Sequence, residues 1–268
     1  MARRNFYEII TSNEFNLRAE YSRIYEVYYE GTSETYPIAE LVENNFAYFP
    51  DYLVGRTISV DDFNNTFNFY FPERPAKLTS ELLITFCEYI WNMCEGLYHC
   101  GNIDEDDVET IQFQRRLIVS AMTDLGMSLH QINNIYFFVE ERPEVVATVE
   151  VVKPELVGGI LRYHHHSLKG DLSAKKNILK QMADDIECER NILKGINGVL
   201  ESQLYQMMNK FVRHTHSQTP YIATMSPDEI EACYDDIYQM WLLAKLEMDN
   251  LERKNRIAAL LPELNKKN

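Results

Sequence analysis

Ser226-Pro227-Asp228-Glu229 places a hydroxyl at a helix N-cap, proline at the first helical position and glutamate three residues after the cap. The serine can accept from free backbone N–H groups, the proline has no N–H to leave orphaned, and the acids face the positive end of the helix dipole. Ile230, Tyr234, Ile237, Trp241, Ala244 and Met248 then recur at helical spacing, which commits the stretch to a long amphipathic helix. Thr79-Ser80 opens a second such run through Leu83, Phe86, Ile90, Met93 and Leu97. The acidic cap Asp104-Glu105-Asp106-Asp107 opens a third through Val108, Ile111, Ile118, Met122 and Leu125. Ser12-Asn13-Glu14 offers a cap for Leu17, Tyr21, Ile24 and Tyr28, closed by Gly31.

The rest of the chain agrees with this class. Pro37, Pro50, Pro72 and Pro75 break residues 36–78 into expected short helices and loops. A weaker helix is expected over 155–163. Ser173 is the expected cap of a helix bearing Ile178, Met182, Ile186 and Leu193, and Gly198 precedes one bearing Leu200, Leu204, Met207, Met208 and Phe211. Between the halves, Ile135-Tyr136-Phe137-Phe138-Val139 and Val145-Val146-Ala147-Thr148-Val149-Glu150-Val151 are β-branched or aromatic runs separated by a proline-containing turn, which reads as a hairpin. The predicted fold is mainly α: an acidic, mostly helical part over 1–134, a β-hairpin joint over 135–152 and a helical bundle over 153–268.

Charge follows the same division. The net charge is −15, and residues 1–152 carry 10 Lys+Arg against 25 Asp+Glu while residues 153–268 carry 16 of each. Phosphate contacts supply most nucleic-acid affinity, so only the C-terminal half suits that ligand. The acidic half is either a solvated surface or a dock for a basic protein partner. No apolar run is long enough to span a bilayer and Met1-Ala2-Arg3-Arg4 leads into polar sequence, so no membrane association and a cytoplasmic location are expected. Five cysteines without a C-x-x-C pair read as reduced thiols, mostly buried.

Five of the seven histidines lie in Arg162-Tyr163-His164-His165-His166 and Arg213-His214-Thr215-His216. Arginine is the best fixed partner for phosphate and histidine titrates nearest neutrality. Arg213 with His214 and His216 therefore has the residue types that metal-free RNA cleavage by 2′-hydroxyl attack requires. The same residues also suit a helix C-terminus, which favours cations. Lys169 and the Lys175-Lys176 pair are further phosphate contacts or a solvated face. Three imidazoles drawn from both clusters would suit zinc, but no cysteine or H-E-x-x-H pattern accompanies them, and neither a metal nor another cofactor is expected.

The run Tyr163-His164-His165-His166-Ser167-Leu168-Lys169-Gly170-Asp171-Leu172-Ser173-Ala174-Lys175-Lys176-Asn177-Ile178-Leu179 resembles a segment of prokaryotic abortive-infection (phage-defence) proteins. So do Met208-Asn209-Lys210-Phe211-Val212-Arg213-His214 and Tyr234-Asp235-Asp236-Ile237-Tyr238-Gln239-Met240. Together they are similar to the C-terminal helical domains of the HEPN superfamily, over roughly 153–257. The resemblance implies an all-α, usually dimeric domain, in many members a metal-independent ribonuclease with an R-x4–6-H motif from each subunit. Here Arg213 is followed by His at +1 and +3, and Arg162 by His at +2, +3 and +4. Carried over by residue, the resemblance implies Arg213 as phosphate holder, His216 as preferred general acid/base and His214 in reserve. Asn209, Arg162, His164, His165, His166 and Lys169 would contact RNA. A non-catalytic RNA- or protein-binding module of a defence system is the alternative. Expected partners are RNA (tRNA or mRNA) and a second copy, held through the apolar 230–248 face as a homodimer or larger homo-oligomer.

Overall fold

The computed structural model describes residues 15–32, 36–101, 103–213 and 221–265. The chain divides into two units between Phe138 and Val139, inside the stretch expected as the joint. It is mainly helical, with one two-stranded sheet.

In the first unit, α1 (Leu17–Tyr29) is capped by the Asn16 side chain, which accepts from the Ala19 N–H at 3.1 Å, and it buries Tyr21, Ile24 and Tyr28. Residues 36–78 form the short helices α2 (Ile38–Asn45), α3 (Asp51–Val54) and α4 (Val60–Phe67). They surround α5 (Ser80–Cys100), which is capped by Thr79 and buried on nearly every side, as a central core helix must be. The helix α6 (Glu105–Asp124) begins with a capping box, Asp104 and Asp107 each accepting from the other's backbone N–H. Tyr21, Tyr28, Phe86 and Ile90 lie in one apolar cluster with Ile111, Ile118 and Met122.

A hairpin lies between the two helical parts and the Ile135–Val139 run is one of its strands, as expected, but its partner strand precedes it instead of following it. Its strands are β1 (Met127–Ile132) and β2 (Ile135–Glu140), and the Val145–Val151 run expected as a strand is largely helix α7 (Pro143–Val149). Asn133 and Asn134 between the strands have φ of 50° and 64°. A tight turn with two left-handed residues matches the twist of antiparallel strands, and asparagine tolerates it. Pro143 in the first turn starts α7, whose Val145 and Thr148 turn inward. The β2 backbone is further satisfied by α5: Asn92 Oδ1 accepts from Tyr136 N–H at 2.9 Å and its Nδ2 donates to Tyr136 O at 2.8 Å. Glu88 accepts from Phe138 N–H at 2.6 Å.

The second unit holds α7, α8 (Pro154–Arg162), α9 (Leu172–Glu187), α10 (Arg190–Ile196), α11 (Gly198–Met207) and α12 (Pro227–Asn265). The α9 cap is Asp171, whose carboxylate accepts from Ala174 N–H at 2.9 Å, so Ser173 is the second residue of the helix instead of its cap. Leu193, expected on the same helix, belongs to α10. At the start of α12, Ser226 N–H donates to Glu229 and Glu229 N–H donates to Ser226 Oγ.

Helices α9 and α12 run in the same direction. Lys175 Nζ meets Asp235 at 2.8 Å, Trp241 Nε1 donates to Met182 O at 2.8 Å, and Lys245 Nζ meets Asp185 at 3.0 Å. Tyr238 donates to Ile160 O of α8 and Tyr205 of α11 to Ile186 O of α9. Ile230, Tyr234, Ile237, Trp241, Ala244 and Met248 are all buried inside this unit. The face expected to hold a second copy is therefore already covered by the chain's own helices.

Candidate functional site

Helix α11 buries Leu200 and Leu204 and then continues into a π-helical segment, Met208–Arg213, which buries Met208, Phe211 and Val212. The wider turn brings Arg213 back over α9. Its Nη2 donates to Glu187 Oε2 at 2.6 Å and to the Ala183 carbonyl at 3.0 Å, while Nη1 reaches Asn209 Oδ1 at 3.4 Å. The Arg213 side chain remains 29 % exposed. Asn209 and Arg213 are thus brought together, with a fixed guanidinium still open to an approaching anion. His214 and His216, with Thr215 between them, lie outside the described residues.

Glu187 and Ala183 had no signal in the sequence, because their role depends on how α9 packs against the π turn. The C-terminal end of α9 is held from several sides. Asp185 meets Lys245 at 3.0 Å and Lys153 at 2.8 Å, and Glu189 meets Lys245 at 2.6 Å. Burial works against ionised Asp185, but the two lysines outweigh it and keep the carboxyl below its usual range. Beside them Arg190 pairs with Glu201 at 2.6 Å and lies over the Tyr205 ring at 4.3 Å.

The other histidine cluster sits on the connector between α8 and α9. Tyr163 and Tyr238 stack with centroids 4.1 Å apart, and the His164 ring stands edge-on to both. Burial, helped by the positive charge of Arg142, lowers the His164 pKa to about 4, so the ring is neutral at pH 7. That state removes it from proton shuttling near neutrality. His164 Nε2 is buried and has no hydrogen-bond partner among the described residues. His165 accepts from Ser167 N–H at 3.3 Å, opening the 3-10 turn His166–Leu168, and its ring lies 4.2 Å from that of His166. Arg162 and Lys169 are exposed.

Lys175, one of the three lysines expected as phosphate contacts or a solvated face, is neither. It is buried, 2.8 Å from both Glu231 and Asp235, with its ammonium 4.9 Å from the Tyr163 ring centroid. Glu231 also accepts from Gly170 N–H at 3.0 Å, and Lys175 with this donor lowers its pKa.

The two clusters occupy opposite ends of α9. Lys175 marks one and Glu187 the other, a separation of about 18 Å at 1.5 Å per helical residue. A single site cannot draw on both the Tyr163–His164 pair and Arg213. Chemically, the Arg213 end offers a fixed cation and the amide of Asn209, enough to hold an anion. The connector end is a packed, ion-paired knot. A scan of protein-family models, a search of curated proteins and a search of solved structures each return no match for this chain. Among the described residues no helix is long and apolar enough to cross a membrane.

Proposed function

We propose that this chain is a prokaryotic antiviral-defence protein of the abortive-infection type, whose C-terminal unit is a HEPN-like domain that cleaves RNA without a metal ion. The observation that carries the reading is the π-helical turn Met208–Arg213, which presents Asn209 and a clamped, part-exposed Arg213 just where the chain continues into His214 and His216. π turns are rare and collect at functional sites, because the extra residue re-aims a side chain at the cost of a regular helix. In the reaction a histidine takes the proton of the 2′-hydroxyl and O2′ attacks phosphorus. The P–O5′ bond breaks and the imidazolium so formed returns the proton to the 5′-oxygen, leaving a 2′,3′-cyclic phosphate. Arg213 would stabilise the extra charge on phosphorus, with His216 as the preferred acid/base and His214 in reserve.

The second reading, a non-catalytic RNA- or protein-binding module, is favoured by the 2.6 Å contact between Arg213 and Glu187, since a carboxylate at that distance competes with phosphate. Incubating the protein with tRNA or mRNA in EDTA separates the two. Cyclic-phosphate products that vanish in Arg213→Ala and His216→Ala, and persist at a reduced level in His214→Ala, support cleavage. Full activity in all three variants removes the site assignment. Binding without cleavage leaves the second reading.

A further inference from the structure

Helix α12 is buried on its inner face only as far as Met248, and from Glu252 to Leu264 it is exposed throughout. In that stretch Ile257, Leu260, Leu261 and Leu264 are 53, 53, 51 and 53 % exposed. Their i, i+3, i+4, i+7 spacing lines them along one side. Pro262, the helix's internal proline, falls on the opposite side, about 150° around the axis at 100° per residue, so its ring does not interrupt the stripe. A row of four large aliphatics on a helix leaving its own unit is a surface that water disfavours.

We propose that this stripe pairs antiparallel with the same stripe of a second copy of the chain. The flanking charges select that occupant and that direction. Arg256 precedes Ile257 by one residue and Glu263 precedes Leu264 by one, so both charges lie on the same flank of the stripe. With Ile257 set against the partner's Leu260 about a two-fold axis, Arg256 lies beside the partner's Glu263 and Glu263 beside the partner's Arg256. Both ion pairs form at once, as a two-fold contact requires. The same register sets Leu264 against the aliphatic stem of the partner's Arg253, whose guanidinium is already engaged by Asp249 at 2.6 Å. A parallel pairing would instead put Arg253 against the partner's Arg253 in the seam and Arg256 against a leucine. The inference is independent of any RNA chemistry.

The contact spans only about three and a half turns, so association should be weak and concentration-dependent. Sedimentation of the full chain from micromolar to hundreds of micromolar should show monomer and dimer in exchange. Leu260→Asp, at an exposed position, should hold the chain monomeric without changing its circular dichroism. Arg256→Glu and Glu263→Arg should each weaken association about tenfold by setting like charges together. The double variant R256E/E263R, or an equimolar mix of the two single variants, should restore it. Strict monomer at the highest concentration overturns the proposal, as does association indifferent to Leu260→Asp or single variants not rescued by mixing. Binding to vesicles of anionic lipid that Leu260→Asp abolishes, in a chain that stays monomeric, overturns it in favour of a membrane surface.

Discussion

Arg213 and Glu187 meet at 2.6 Å with their side chains 29 % and 45 % exposed, so the guanidinium proposed to hold phosphate is paired with a solvent-exposed carboxylate. An ion pair this open contributes only about 0–1 kcal/mol to stability. Its more important effect is electrostatic, since the carboxylate cancels much of the charge an RNA backbone would meet.

Glu187→Gln keeps an acceptor for the guanidinium and removes the charge. RNA affinity at low salt should rise about three- to tenfold, with the thermal midpoint changed by no more than a few degrees. Filter binding and a melting curve test both. An affinity that stays flat or falls would mean that Arg213 makes no phosphate contact.

His164 should make stability depend on pH. The folded state holds this ring neutral, with its pKa lowered from 6.5 to about 4 by burial first and Arg142 second. The unfolded chain therefore binds a proton before the folded chain does. The contribution is complete above pH 6.5 and drains away as pH falls toward 4, by about 3 kcal/mol at most. His164→Phe keeps a ring against Tyr163 and Tyr238 and cannot titrate, so denaturant midpoints of this variant should fall less between pH 7 and about pH 4.5. Parallel curves for the two proteins would discount the buried, neutral histidine.

Gly96 lies inside α5 where an added Cβ would run into the Phe49 ring. Alanine there gains up to about 1 kcal/mol of helix propensity but forces a buried ring to move, an overpacking cost of about 1–3 kcal/mol. The first unit should be destabilised on balance by Gly96→Ala, as read by chemical denaturation. A stabilised variant would show that the Phe49 ring relocates freely.

Legibility divides along physical lines. Thr79, Asp104 and Ser226 cap the long helices where their local chemistry says they should, and the periodic positions Leu83, Phe86, Ile90, Ile111, Ile237 and Trp241 are all buried. Local hydrogen bonding and a period of 3.6 need no tertiary partner to be visible. The strand at Ile135–Val139 is legible in its composition, whereas Val145–Val151 has the same β-branched character but is made helical by Pro143 and by the packing of α7 against α12. The missed cue was Asn133-Asn134, an adjacent pair suited to a left-handed turn. At the site, Arg213 was legible as a residue type beside histidines, but its clamp was not. Lys175 with Glu231 and Asp235, and Arg213 with Glu187, join residues 26 to 60 positions apart, and only the packing of α9 brings them together.

The charge boundary gives the last prediction. Residues 1–140 carry 9 basic against 22 acidic side chains, and residues 141–268 carry 17 against 19. A tethered negative field opposes an approaching phosphate backbone within a Debye length, about 8–10 Å at physiological salt. A fragment starting at Glu141 leaves the whole hairpin with the first unit and retains α7, which packs on α8 and α12. Starting at 153 would strip α7 and expose the surface beneath it. The 141–268 fragment should fold, as circular dichroism and a cooperative melt would report, and should bind RNA more tightly than the full chain. Its affinity should fall steeply with salt as released counterions become less favourable. A folded fragment without RNA affinity at low salt would remove RNA as the ligand and leave a protein partner for the second unit.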